Sequence, residues 1–193
     1  MTDRIKLILA SGSPRRQQLL RDMGVDFEVH VTNTDESIRE GEAAQDYVSR
    51  VARDKAQVAA DELGDQCAIL AADTIVVKND RILGKPRDLE HAQQIWSSLN
   101  SSSHLTMTAV CLRVAAKSSV RLVTTEVKFG NISVEQMQRY WQTGEPQDKA
   151  GAYAIQGFAS AWVKLINGSY SNVVGLPLRE VNELLTDVEH NWL

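Results

Sequence analysis

The sequence predicts a mixed α/β fold, and three observations lead there. Segments of helical period and segments of strand character follow one another without strict alternation, unlike a simple parallel doubly wound sheet. Residues 68–77 are almost continuously apolar, the mark of a strand covered on both faces. No Pro- and Gly-rich stretch separates two halves, so two lobes sharing one sheet fit better than two independent domains.

The elements follow in order. Residues 6–10 are a short apolar run that reads as a buried strand. Ser13-Pro14 opens a helix through Leu19, Leu20 and Met23, and Gly24 ends it. Residues 27–31 alternate like a strand, and 43–63 place Tyr47, Val48, Val51, Ala52, Ala59 and Leu63 at helical spacing. After the apolar strand, Lys78-Asn79-Asp80-Arg81 turns the chain toward Ile82-Leu83. Residues 89–99 read as a helix, 105–115 and 120–129 as long strands, and 133–141 as a helix with a Ser133/Gln136 capping box. Further strands are expected at 159–166 and 173–174, and a last helix at 178–185.

The 193 residues carry 21 Lys+Arg against 25 Asp+Glu, a formal net charge of −4, with 43% apolar residues. Such a chain can bury a sizeable core and does not read as disordered. The mild acidity argues against a nucleic-acid partner, yet leaves room for a small anion gripped by a few focused basic residues. No apolar run approaches the roughly 18 residues of a membrane-spanning helix. Cys67 and Cys111 lack neighbours at metal-ligand spacing. The expectation is a cytoplasmic protein without membrane association.

Chemistry concentrates in a few places. Ser11-Gly12-Ser13-Pro14-Arg15-Arg16 joins the first strand to the first helix, where free N–H groups and the helix dipole favour an anion. Two arginines in the first helical turn oppose that dipole, a conflict that a bound phosphate would resolve. The alternative is an ordinary Ser-capped helix with solvated arginines. Asp73 shares its strand face with Ala71 and Ile75, so its carboxylate is expected to be desolvated and in need of a partner. Buried carboxylates of this kind act as bases or metal ligands. Lys55 lies four residues after Val51 and four before Ala59, along the apolar stripe of its helix. Spacing alone leaves open whether it snorkels or faces a ligand. Glu36 reads as a loop carboxylate and Gly84-Lys85-Pro86-Arg87 as an exposed basic turn. Residues 149–157, with small residues and Gln156, suit a backbone lying close to a flat ligand. The four histidines show no motif spacing and are assigned to structure; the tryptophans are expected to pack rather than stack on bases.

Taken together, these segments resemble the Maf family of nucleoside triphosphate pyrophosphatases. The resemblance runs through 7–16, Ala52-Arg53-Asp54-Lys55-Ala56, Ala71-Ala72-Asp73-Thr74, Gly84-Lys85-Pro86, 149–157, Gly168-Ser169-Tyr170 and Val174-Gly175-Leu176-Pro177. Each block is weak alone; their ordered series is specific. It implies an inosine-triphosphatase-like fold, two lobes around an elongated mixed sheet with the nucleotide in a central cleft, the whole of 1–193 forming one catalytic domain. It implies hydrolysis of a nucleoside triphosphate to the monophosphate and pyrophosphate, assisted by a divalent cation (Mg2+ or Mn2+), in a homodimer. On the family pattern Asp73 is the proton acceptor or a metal ligand, Glu36 joins the metal environment, and Ser11, Arg16, Lys55 and Lys85 contact phosphates. Arg15, Thr74 and Gln156 occupy the positions tied to base preference, in the combination of the dTTP/UTP-hydrolysing group. A Gln amide both donates to and accepts from a pyrimidine edge, where Glu only accepts. A nucleotide sensor without turnover and a hydrolase releasing orthophosphate are the competing readings, separated by the products formed from dTTP.

Overall fold

The computed structural model describes residues 5–187. Seven strands form one mixed sheet: β1 (Lys6–Leu9), β2 (Glu28–Val29), β3 (Cys67–Lys78), β4 (Arg81–Leu83), β5 (Ser103–Val114), β6 (Lys117–Phe129) and β7 (Val163–Asn167). The helices are α1 (Pro14–Asp22), α2 (Ala44–Leu63), α3 (Leu89–Leu99), α4 (Val134–Gln142), α5 (Tyr170–Val174) and α6 (Leu178–Thr186). The strand order is β2-β1-β3-β5-β6-β7, with β4 paired to β3. β1 runs parallel to both β2 and β3, with Leu9 opposite Leu70, whereas β4 and β7 are antiparallel to β3 and β6. The sheet is therefore mixed, as the irregular order of helical and strand periods predicts.

The chain divides into two compact units whose boundaries fall inside β3, β5 and β6. The first comprises the chain up to Asp73, Thr108–Val123 and the chain from Gly175 onward. Its core gathers Leu7, Leu9, Leu20, Ala68, Leu70, Val110, Leu176 and Leu184. These residues come from three separate stretches of sequence, so this unit closes only when the C-terminal segment returns. α2 buries Tyr47, Val48, Val51, Ala52, Ala56, Ala59 and Ala60 on one face, the small alanines allowing close approach. No helix among the described residues is long and apolar enough to cross a membrane.

The second unit comprises Thr74–Met107 and Thr124–Val174. Its core is aromatic: Trp96, Tyr140 and Trp162 pack mutually with ring centroids 4.9–5.9 Å apart. Phe129 joins Trp162, Tyr153 and His104 edge-on. α4 starts with the expected capping box: Ser133 Oγ accepts from Gln136 N–H, and Gln136 Oε1 accepts from Ser133 N–H at 2.8 Å.

Three expected strands are corrected. Residues 27–31 pair only at Glu28–Val29. Residues 158–162 form a 3-10 turn that inserts Ala159 and Trp162 into the core, and only Val163–Asn167 pairs as a strand. Val173-Val174 closes the short helix α5 instead of a strand. Ser169 explains that change: its hydroxyl accepts from Asn172 N–H and its carbonyl from Val173 N–H, closing a helical turn. The buried Asn172 amide then donates to Thr106 O and Thr125 Oγ1 at 3.1 and 2.8 Å. Two β-branched residues say little against such tertiary anchoring.

Candidate active site

The first unit brings together five of the residues singled out in the sequence. Asp73 sits within β3 at 8% exposure, its neighbours Ala71 and Ala72 fully buried. Lys55 lies one turn beyond Val51 on the inward face of α2, its side chain only 12% exposed. Its ammonium resolves the ambiguity of its spacing. It donates to Asp73 Oδ1 at 2.8 Å and pairs with Glu36 Oε1 at 2.6 Å. The Asp73 carboxylate therefore has the cation that burial demands. Glu36, an unremarkable loop carboxylate in sequence, becomes the second carboxylate of a lysine-bridged acidic pair.

Ser11 and Arg16 form the adjoining part of the site. Ser13 caps α1, its hydroxyl facing Arg16 N–H, and Pro14 occupies the first turn, which contains no acidic residue. Ser11 Oγ accepts from Ser13 N–H and from Arg16 Nη1, both at 3.2 Å. Arg16 Nε donates to Gly175 O at 2.8 Å, so this arginine is no solvated side chain but a tie between α1 and the returning C-terminal segment. Burial pulls the Arg16 guanidinium below its ordinary value, Asp73 and Glu36 push it back, and Arg15 adds to the lowering. Arg16 thus lies within electrostatic reach of both carboxylates while remaining the obligate cation that arginine is. The Ser11 hydroxyl, the Arg16 fork and the α1 N-terminus form a surface chemically suited to phosphate oxygens.

The other expected site residues are placed as follows. Arg15 stands half-buried in the first turn of α1. Thr74, half-buried, follows Asp73 directly on β3 but is counted with the second unit, as are Lys85 and Gln156. Lys85 is exposed after β4, and Gln156 is exposed beyond the 3-10 turn at Ala150–Ala152. Gly151 in that turn answers to packing: at φ +69° any Cβ would lie 2.8 Å from Val76 Cγ2. His30 pairs with Glu62, His91 Nδ1 accepts from Arg87 N–H, and His104 is buried against Tyr153. Trp96 and Trp162 pack in the core. His190 and Trp192 lie outside the described residues.

Two residues escaped the sequence reading. Tyr47 and Arg50 on α2 donate to the carbonyls of Glu36 and Ser37, at 2.8 and 2.9 Å. The signal was present: Tyr47 stands eight residues before Lys55, on the same helical face.

No group of three or more His, Cys, Asp or Glu side chains that could hold a metal ion by itself occurs among the described residues. Asp73 and Glu36 nonetheless suit a divalent cation: both are hard oxygen donors, and both already converge on one positive charge. Magnesium typically binds through one or two carboxylates with substrate phosphates and water completing its shell.

The fold and this cluster define a mixed α/β protein with a lysine-bridged carboxylate pair beside an anion-receptive helix start. The chain belongs to the Maf family, whose model for Maf-like proteins matches residues 6–188. It is 49% identical over 181 residues to a dTTP/UTP pyrophosphatase of Shigella sonnei, covering 94% of this chain and 92% of that protein. A dTTP/UTP pyrophosphatase of Vibrio cholerae is 46% identical, with 93% and 96% covered. Among solved structures, a nucleoside-triphosphatase (dITP/XTP pyrophosphatase) from Mycobacterium abscessus superposes with a TM-score of 0.50 at 14% identity. That match covers 96% of this chain and 97% of the other, and it establishes a shared fold.

Proposed function

We propose that the protein hydrolyses nucleoside triphosphates, dTTP and UTP foremost, between the α- and β-phosphates, releasing the monophosphate and pyrophosphate. The observation that carries this reading is the Lys55 ammonium held between Asp73 and Glu36, next to the Ser11–Arg16 cradle, in a chain about half identical to dTTP/UTP pyrophosphatases.

Asp73 acts as the base. Its strand position excludes most solvent, and the bond from Lys55 orients its carboxylate toward a water that attacks the α-phosphorus. Ser11, Arg16, Lys55 and Lys85 bind phosphate oxygens and offset the charge that develops on the departing pyrophosphate. Lys55 has a double duty, since its ammonium can pass from the carboxylates to the substrate. A divalent cation bound by Asp73 and Glu36 would supply further neutralisation of phosphate charge. Arg15, Thr74 and Gln156 select the base. The protein works as a single catalytic domain, in the cytoplasm and as a homodimer, on free nucleotides; two free cysteines fit a reducing compartment, and a net charge of −4 fits a small nucleotide rather than a nucleic-acid polymer.

Incubation with dTTP or UTP and magnesium, followed by product identification, tests the reaction. Pyrophosphate with dTMP or UMP is expected. Orthophosphate with a diphosphate, or unchanged nucleotide, refutes it. Asp73→Asn should lower turnover by about 10²–10⁴-fold with the fold intact. A folded variant of near-normal activity would remove Asp73 from the role of base.

A further inference from the structure

The segment 30–43 links β2 to α2 without helix or strand and carries Glu36. A connection of this length must be held by something other than a backbone ladder. Side chains supply the grip. Tyr47 Oη donates to Glu36 O at 2.8 Å, and Arg50 Nη2 donates to Ser37 O at 2.9 Å. Arg50 also forks onto Glu42, with Nε and Nη2 at 2.6 and 2.8 Å from its two carboxylate oxygens, and reaches Asp54 Oδ2 at 3.2 Å. Glu42 Oε2 in turn accepts from Arg39 N–H, and Asp35 accepts from both N–H and Oγ of Ser37. The Arg50 guanidinium lies 5.5 Å from the centre of the Tyr47 ring, so the two anchors support each other.

We propose that Tyr47 and Arg50 are positioning residues that hold the Glu36 main chain so that its carboxylate meets Lys55 beside Asp73. The helical period makes this possible. Tyr47, Val51 and Lys55 recur every four residues along one face of α2, so Tyr47 grips the backbone of Glu36 while Lys55 receives its side chain. Glu36 is 46% exposed, and a half-exposed ion pair is too weak to order the loop that carries it. The bonds to the two consecutive carbonyls, one of them from an 8%-exposed tyrosine, do that instead. This inference rests on the reading of Glu36, Lys55 and Asp73 as the reaction centre.

Tyr47→Phe removes the donor and keeps the buried ring; Arg50→Lys keeps the charge and loses the fork. For each variant, kcat and KM for dTTP are measured, with amide hydrogen exchange over 35–39 and a thermal melt. The same substitutions are repeated in a Glu36→Gln background. Each is expected to lower kcat about threefold to tenfold with KM little changed. Exchange over 35–39 should quicken while the melt stays near that of the parent. In the Glu36→Gln background neither substitution should cost anything further. Equal losses in both backgrounds, or full activity in both single variants while Glu36→Gln is impaired, would overturn the positioning role. Full activity of Glu36→Gln itself would instead overturn the assignment of Glu36 to the reaction centre.

Discussion

His104 is 2% exposed, its Nε2 2.8 Å from Tyr153 Oη and its ring edge-on to Phe129 at 4.9 Å. Its Nδ1 has no hydrogen-bond partner among the described residues. Burial, with a smaller contribution from the Lys78 ammonium, pulls the imidazole down to about 4. The folded protein therefore keeps His104 neutral where the unfolded chain would protonate it. Its stabilising contribution is complete above about pH 6.5 and is lost as pH falls toward 4. The loss is of the order of 3 kcal/mol. Denaturant titrations at pH 7 and pH 5 should show His104→Gln with a flatter stability profile than the parent; parallel profiles would refute the assignment. At this scale the sequence was informative about Asp73, whose apolar neighbours announce desolvation, and undecided about Lys55, which it placed on the apolar stripe but gave no partner. Spacing assigns a side chain to a face of its helix, but the atom at its end is chosen by whatever packs there.

Among the elements, α4 and the segment 149–157 behave oppositely. The α4 start is legible because a capping box is local: Ser133 and Gln136 satisfy each other's backbone within one turn. The segment 149–157 is held from outside. Trp96 Nε1 donates to Ala152 O at 2.7 Å, Ala154 N–H donates to Tyr140 Oη at 3.0 Å, and Gly151 N–H donates to Gly84 O at 3.1 Å. Its small residues are needed for close packing, with Val76 against the face of Gly151. Gly151→Ala is expected to destabilise by about 1–3 kcal/mol through overpacking, with added strain at positive φ. Val76→Ala should recover part of that loss, so the double variant melts above the sum of the single effects. Strict additivity in the melts would rule out Val76 as the obstacle. The departures from strand at 159–162 and 173–174 share one cause. Trp162 and Asn172 are drawn into tertiary contacts that outweigh β propensity.

For the whole molecule, the net charge of −4 conceals where the charges lie. Arg16, Lys55, Asp73 and Glu36 meet in the first unit from four separate stretches of chain. Of the residues proposed to select the base, Gln156 is the most direct test, because its amide offers both donor and acceptor. Gln156→Glu removes the donor and adds a charge, and kcat/KM for dTTP and UTP should fall about tenfold or more. A panel of pyrimidine and purine nucleoside triphosphates checks it: unchanged pyrimidine preference would dissociate Gln156 from base selection. By itself the sequence determined the mixed α/β class, the places of the main helices and strands, and the desolvation of Asp73, since periodicity and capping are local properties. Only the tertiary structure decided that Lys55 bridges Asp73 to Glu36, that Arg16 ties α1 to Gly175, and that Tyr47 and Arg50 hold the Glu36 loop. Those partners lie far apart along the chain, and a local pattern specifies which face a residue occupies but not what it will meet there.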